Sequence, residues 1–316
     1  MALPVTLYRW DDPGAPQLTN RTPADIIAVL KACLVDGYGD KLPAGWSVEF
    51  EDVATNQLVV RNDPVVGSGG FLHLYPYSDN NAGSDLAMIA AQNIPSLGTY
   101  TNKGQRYLID VYYSQNTQWW VAATTRGFYF QIMDNRYVSA VGSGSREPGV
   151  FVGDFESTLQ NDAGQFIVAG NTAADLTNAS GLAGFFYNDG TDYFAKIYDV
   201  DGSANFTVMY KLVLHGIMSR QVDLAGTPGD HGMQHWLQPS FFSILSTALD
   251  DNSVSVIQSN TRPMLRGKFP GLLLSSFGGY SDKNWPVIEQ FDGQDHMGIR
   301  NGYNVYKWLN LVEWYV

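Results

Sequence analysis

Two histidines, His231 and His235, stand four residues apart beside Asp230. On a helix that spacing puts both imidazoles on one face, as in a zinc site. The intervening residues are Gly232-Met233-Gln234, so the glutamate that acts as general base in metalloprotease helices is missing. Gly229 and Gly232 also disfavour a helix. The segment reads as a loop whose histidines pack or hydrogen-bond at a surface, and no metal is expected. His73 and His296 are isolated, and Asp295-His296 falls in a glycine-containing stretch that reads as a loop. His215 lies in an apolar run and reads as a core histidine with its hydrogen bonds satisfied.

Other reactive residue types also lack the spacing their chemistry needs. Gly142-Ser143-Gly144-Ser145 does not have the Gly-x-Ser-x-Gly spacing of a nucleophile elbow. Gly67-Ser68-Gly69-Gly70 has neither the third glycine nor the Lys-Ser/Thr of a phosphate loop. Both read as turns. Glu49/Glu51, Asp250/Asp251 and Asp292/Asp295 are carboxylate pairs close in sequence, whereas glycoside hydrolysis needs two at a set separation across a cleft. Asp110, inside Leu108-Ile109-Asp110-Val111-Tyr112, reads as a structural ion pair or a strand edge. The single cysteine, Cys33, has His73 as its nearest histidine in sequence and reads as a small core residue. The chain is therefore expected not to be an enzyme, and no catalytic, cofactor or metal residue is assigned.

The elements that would position these residues are mostly strands. Thr22-Pro23-Ala24-Asp25 is a helix start: Thr22 can cap, Pro23 sits where its missing N–H costs nothing, and Asp25 complements the dipole. Ile26, Ile27, Leu30, Cys33 and Leu34 repeat at helical spacing, which predicts a helix over Thr22–Val35, ended by Gly37 in a left-handed conformation. The period then changes to two. Trp46–Phe50 and Gln57–Arg61 read as a hairpin, and Phe71–Tyr75 as a third strand. Leu86–Gln92 is ambiguous by pattern. Arg106–Tyr113, Gln118–Thr124 and Gly127–Met133 read as a meander. Further strand-like runs follow at Val150–Phe155, Gln165–Ala169, Gly184–Tyr187, Tyr193–Asp199, Asn205–His215, Val254–Ser259, Gly271–Ser276 and Tyr303–Tyr315. Ser240–Leu249 fits either a short helix or a strand. Many strands with one helix predict a mainly β fold of sandwich or barrel-like packing, because each sheet must bury a face. The glycine-rich stretch before Pro148-Gly149 suggests two domains, 1–145 and 146–316.

Composition narrows the partners. Charged residues make up 16% and aromatics 13% of the 316 residues, which fits a β-rich core or a subunit that buries surface in an assembly. With 31 acidic against 19 basic residues the net charge is −12, so neither nucleic acid nor an anionic membrane is an expected partner. The start, Met1-Ala2-Leu3-Pro4, does not read as a signal peptide, and no apolar run is long enough to span a bilayer. A reducing cytoplasm is the expected place of synthesis. Tyr112-Tyr113, Trp119-Trp120 and Phe128-Tyr129-Phe130 are dense aromatic tracts. They suit strand cores or subunit contacts, and, as an alternative, a platform for sugars.

Several segments together resemble one family. The opening has Val5-Thr6-Leu7-Tyr8 and Asp12-Pro13-Gly14-Ala15-Pro16. It continues into Leu34-Val35-Asp36-Gly37-Tyr38-Gly39-Asp40-Lys41 and Ala44-Gly45-Trp46. This resembles the start of a family of tailed-bacteriophage virion proteins, with an extended beginning, a short helix and a Gly-Tyr-Gly loop. Arg126–Phe130 with Val152-Gly153-Asp154-Phe155, the stretch Arg266–Leu272 and Tyr303-Asn304-Val305 resemble its middle, late and final segments. The resemblance implies a strand at Leu86–Gln92 and a structural subunit of the virion, assembled in the host bacterial cytoplasm. Such a subunit would form an oligomer at the neck or collar, or in the tail and baseplate, contacting other virion proteins and copies of itself. The alternative is a glycan-binding or glycan-cleaving tail protein that touches the host surface. The family brings no catalytic residues.

Overall fold

The computed structural model describes residues 2–109, 116–134, 148–170, 180–182, 185–186, 193–197, 207–211, 225–244, 247–249, 255–257, 265–301 and 304–316. The protein is mainly β, with several antiparallel sheets and one short α-helix. That helix, Pro23–Lys31, starts as its sequence dictates: Thr22 caps it and Asp25 completes a capping box. Pro23, Ile26, Ile27, Val29 and Leu30 are its buried side chains. It continues as a π-turn through Ala32–Asp36, closed by the Gly37 amide on the Ala32 carbonyl at 2.8 Å. Gly37 ends it with φ +76° but ψ 171°, so the stop has positive φ without the expected left-handed helical geometry.

A five-stranded sheet forms the middle of the molecule. Its order is Phe166–Ala169, Gly149–Asp154, Gly127–Asp134, Asn116–Ala123, Thr6–Arg9. Side chains alternate across a strand, so Phe128 and Tyr129 point to opposite faces. Phe128 meets Trp46 at 5.5 Å on one face, and Tyr129 meets Trp314 at 5.2 Å on the other. Both faces are covered, which is why Trp119–Ala123 and Phe128–Phe130 are apolar at every position instead of alternating. These tracts are core, not a surface platform. Tyr112-Tyr113 lie outside the described residues.

The six-stranded sheet has the order Ser180–Leu182, Thr99–Ile109, Leu86–Ser96, Phe71–Pro76, Gln57–Arg61, Ser47–Asp52, with the first pair parallel. The hairpin of Ser47–Asp52 with Gln57–Arg61 is present, bulged between Val48 and Phe50. Leu86–Ser96 is a strand. The expected meander is not one sheet: Thr99–Ile109 belongs to this sheet, while Asn116–Ala123 and Gly127–Asp134 pair in the middle sheet. Local pattern signals a strand but not the layer it joins.

The largest sheet runs Tyr193–Ile197, Thr207–Lys211, Leu237–Ile244, Leu265–Gly279, Asn304–Asn310, Gln294–Asn301, Val287–Phe291, with Glu156–Ser157 also pairing the long strand. Ser240–Ile244 is thus strand, and so is Thr247–Leu249. Asp295-His296 sits within the strand Gln294–Asn301, not in a loop; the glycine at 293 makes the tight turn before it. One buried apolar cluster draws residues from all three sheets and the helix. Gly127–Asp134 pairs with Gly149–Asp154, with Phe151 opposite Tyr129. Leu3–Pro4 pairs with Glu313–Trp314.

Candidate functional site

The Gly-Tyr-Gly block closes the N-terminal strand onto the helix. Tyr38 and Lys41 bond each other through their backbones at 3.1 and 2.8 Å, a tight turn around Gly39. Gly39 has φ +52°, and a Cβ there would overlap the Pro13 carbonyl oxygen. The Tyr38 hydroxyl donates to Asp12 Oδ2 at 2.9 Å and accepts from the Arg9 amide at 3.1 Å. Lys41 Nζ donates to the Leu7 carbonyl at 2.9 Å, and Tyr8 Oη donates to the Leu42 carbonyl at 2.6 Å. Burial raises the pKa of both tyrosines, so neither hydroxyl is poised to lose its proton. The block fixes chain geometry.

A second polar centre lies where the loop carrying Gly67-Ser68-Gly69-Gly70 meets the middle sheet. Asp154 is buried and accepts from the Ser68 amide at 2.9 Å and the Ser68 hydroxyl at 2.5 Å. Arg126 Nε donates to it at 3.2 Å, and the Arg126 guanidinium lies 4.1 Å from the centre of the Tyr315 ring. Tyr315 Oη donates to the Asp154 carbonyl at 2.6 Å, and Asn62 Nδ2 to the Arg126 carbonyl at 3.0 Å. Burial pushes the Asp154 carboxyl up, opposed by the Ser68 and Arg126 contacts. Sequence inspection gives this centre no role, because its members are scattered along the chain. The outward signal was only the Gly153-Asp154 pair: Gly153 has φ +133° and sits against Gly127.

A third centre is the buried pair Asp162–Arg266. Arg266 Nε and Nη2 bind the two carboxylate oxygens at 2.8 and 2.6 Å, and Ser157 Oγ donates to Asp162 at 2.6 Å. Both side chains are fully buried, and the pair joins the 157–165 segment to the long strand. A buried guanidinium needs such a two-point partner.

The candidate residues of the sequence separate. His231 ends a short 3-10 turn, Gly229–His231, and His235 follows four residues later. His231 Nε2 bonds the Ala225 carbonyl at 2.7 Å, and His235 Nε2 bonds Ser275 Oγ at 2.5 Å. Both rings pack on Phe277, and burial lowers the His235 pKa. Asp230 instead receives the Thr227 amide and hydroxyl at 2.7 and 2.9 Å. His73 is buried between Tyr100 Oη at 2.7 Å and Gln57 Oε1 at 3.1 Å, and burial pushes its pKa down to about 4. His296 is buried beside Phe291. Glu51 pairs with Lys31 at 2.7 Å and Glu49 lies 3.9 Å from Arg61. Asp292 takes φ +51° in the turn and Asp295 accepts from Gln290 Nε2 at 2.9 Å. Cys33 is buried. Asp110, Ser143, Ser145, His215, Asp250 and Asp251 lie outside the described residues. Among the described residues no group of three or more His, Cys, Asp or Glu comes together to hold a metal. No helix among them is long and apolar enough to cross a membrane.

A pocket of about 110 Å³ lies between the long strand and the last residues, lined among others by Glu156, Lys268, His296, Asn310, Glu313 and Trp314. Compared with known proteins, the chain matches no protein-family model and no curated protein sequence.

Proposed function

We propose that the chain is a structural, non-enzymatic subunit of a tailed-phage particle. It would assemble as an oligomer with copies of itself and other virion proteins, at the neck or collar or in the tail and baseplate. One observation carries the reading: among the described residues, Asp154, Asp162 and Tyr38, polar side chains that could do chemistry, are used as braces between elements. Asp154 ties a loop of the six-stranded layer to the middle sheet, and Asp162 ties to Arg266 on the long strand. Tyr38 braces the N-terminal strand through Asp12 and Arg9. Buried charge pairs of this kind hold a geometry more than they add stability. A subunit that must present fixed surfaces to its neighbours needs that rigidity. The Gly-Tyr-Gly block that carries the family resemblance is itself such a brace.

The glycan-binding alternative keeps one supporting observation. Trp236 is 68% exposed, and its indole offers a face on which a sugar ring could stack. A glycan array probed with the purified chain separates the two readings. For the structural reading, the test is a nonsense mutation in the phage that encodes the chain. The expected result is accumulation of incomplete particles in a non-suppressing host. A normal yield of intact, infectious particles would overturn it.

A further inference from the structure

The pocket beside the last strand has a defined polarity. Gly271, at φ +66°, lets the Trp314 ring lie directly on the backbone of the long strand, and Trp314 Nε1 donates to the Asn310 carbonyl at 2.8 Å. That packing fixes one wall. Hydrogen bonds orient the other groups. His296 Nδ1 lies 2.9 Å from the Gln294 carbonyl, which can only accept, so Nδ1 carries the proton. In the neutral ring Nε2 is then a bare acceptor, and among the described residues it makes no hydrogen bond.

The carboxylate beside it is held in place. Asn310 Oδ1 accepts the amides of Val312 and Glu313 at 2.7 and 3.0 Å, which sets the turn. Asn310 Nδ2 donates to Gln294 Oε1 at 2.5 Å, and Gln294 Nε2 donates to Glu313 Oε1 at 2.8 Å. Glu313 is thereby oriented through one oxygen, and among the described residues the other makes no hydrogen bond. Glu156 is matched by Lys268 at 3.0 Å. The pocket is left with acceptors in excess and one unmatched negative charge.

We propose that this pocket receives the cationic end of a partner protein's basic side chain, an arginine guanidinium, which donates to Glu313 and to His296 Nε2. A guanidinium brings five N–H donors in a planar fork and no acceptor, the complement of this lining. About 110 Å³ suits one side-chain head rather than a larger ligand. The net charge of −12 favours encounter with a basic partner. These residues select the cation by themselves, independent of any role in a particle.

The test titrates the full chain with Nα-acetyl-arginine amide and with Nα-acetyl-citrulline amide, its uncharged analogue of the same shape, by ligand-observed NMR. The arginine derivative is expected to bind saturably and at least tenfold more tightly than citrulline, the size expected for a charge-assisted hydrogen bond. Glu313→Gln should weaken arginine binding about tenfold on the same grounds. Lys268→Met should strengthen it by freeing Glu156, a gain that misfolding cannot imitate. An acetyl-Gly-Arg-Gly amide should bind more tightly than methylguanidinium, which marks a side chain rather than a free cation. No saturable binding, equal binding of arginine and citrulline, unchanged or weaker binding in Lys268→Met, or tighter binding of methylguanidinium would each overturn the assignment.

Discussion

Ser68 and Asp154, 86 residues apart in sequence, are joined by two hydrogen bonds, one from the Ser68 amide at 2.9 Å and one from its hydroxyl at 2.5 Å. Asp154 also faces Arg126 at 3.2 Å. Asp154→Ala should lower the unfolding free energy by about 3 kcal/mol or more, because the Ser68 amide and hydroxyl and the half-buried Arg126 all lose their partner. Ser68→Ala should cost less, about 1.5–3 kcal/mol, since the backbone bond to the carboxylate remains. Urea denaturation of the two variants checks the order; a smaller loss for Asp154→Ala would contradict the role given to the carboxylate.

Gly39 and Gly98 both have positive φ, +52° and +78°, but only Gly39 is confined, against the Pro13 carbonyl. Gly98→Ala should carry only the backbone strain, about 1–3 kcal/mol. Gly39→Ala should exceed it, because the loop must also move away from Pro13. Melting temperatures of the two variants measure the difference, and equal shifts would show that the Gly-Tyr-Gly turn is not tightly fitted.

His73 gives a pH dependence of known sign. Folded, its pKa is held down to about 4 by burial, against an ordinary value of 6.5. Between those values the unfolded chain binds the proton and the folded chain does not, so stability falls as pH falls from 6.5 towards 4 and changes no further below. The span is up to about 3 kcal/mol. Asp154 works in the opposite sense: its raised pKa makes the folded form the better proton binder, so its contribution grows as pH falls. His73→Phe should remove the first component. Denaturation at pH 7 and pH 4.5 should show a smaller acid loss in the variant than in the parent; an identical loss in both would exclude His73 as its source.

Asp162 and Arg266 should show strong coupling in a double-mutant cycle. Either Asp162→Leu or Arg266→Met alone leaves a buried charge unmatched and should cost about 3–5 kcal/mol. Both together should cost much less than the sum. Additive losses would mean that the pair does not act as a unit.

Much of the fold was legible in the sequence where the signal is local. Thr22, Pro23 and Asp25 mark the helix start because capping acts within one turn. The hairpin of Ser47–Asp52 and Gln57–Arg61 follows from alternation over a few residues. The partition of Thr99–Ile109 and Asn116–Ala123 into different sheets depends on distant packing and leaves no local trace. Asp295-His296 reads as loop because Gly293 is next to it, yet Gly293 only turns the hairpin and the strand begins at once. The braces were the least legible part: Ser68 and Asp154 are 86 positions apart and Asp162 and Arg266 are 104 apart. None of these residue types is unusual by itself, so only the folded chain brings them together.

The claim that the chain is built into a phage particle is tested most directly by quantitative mass spectrometry of gradient-purified virions. The expected result is the chain co-sedimenting with the particles in several copies each, in constant ratio to the other tail and neck proteins. Its absence from purified particles, or a trace amount that varies between preparations, would contradict the proposed role.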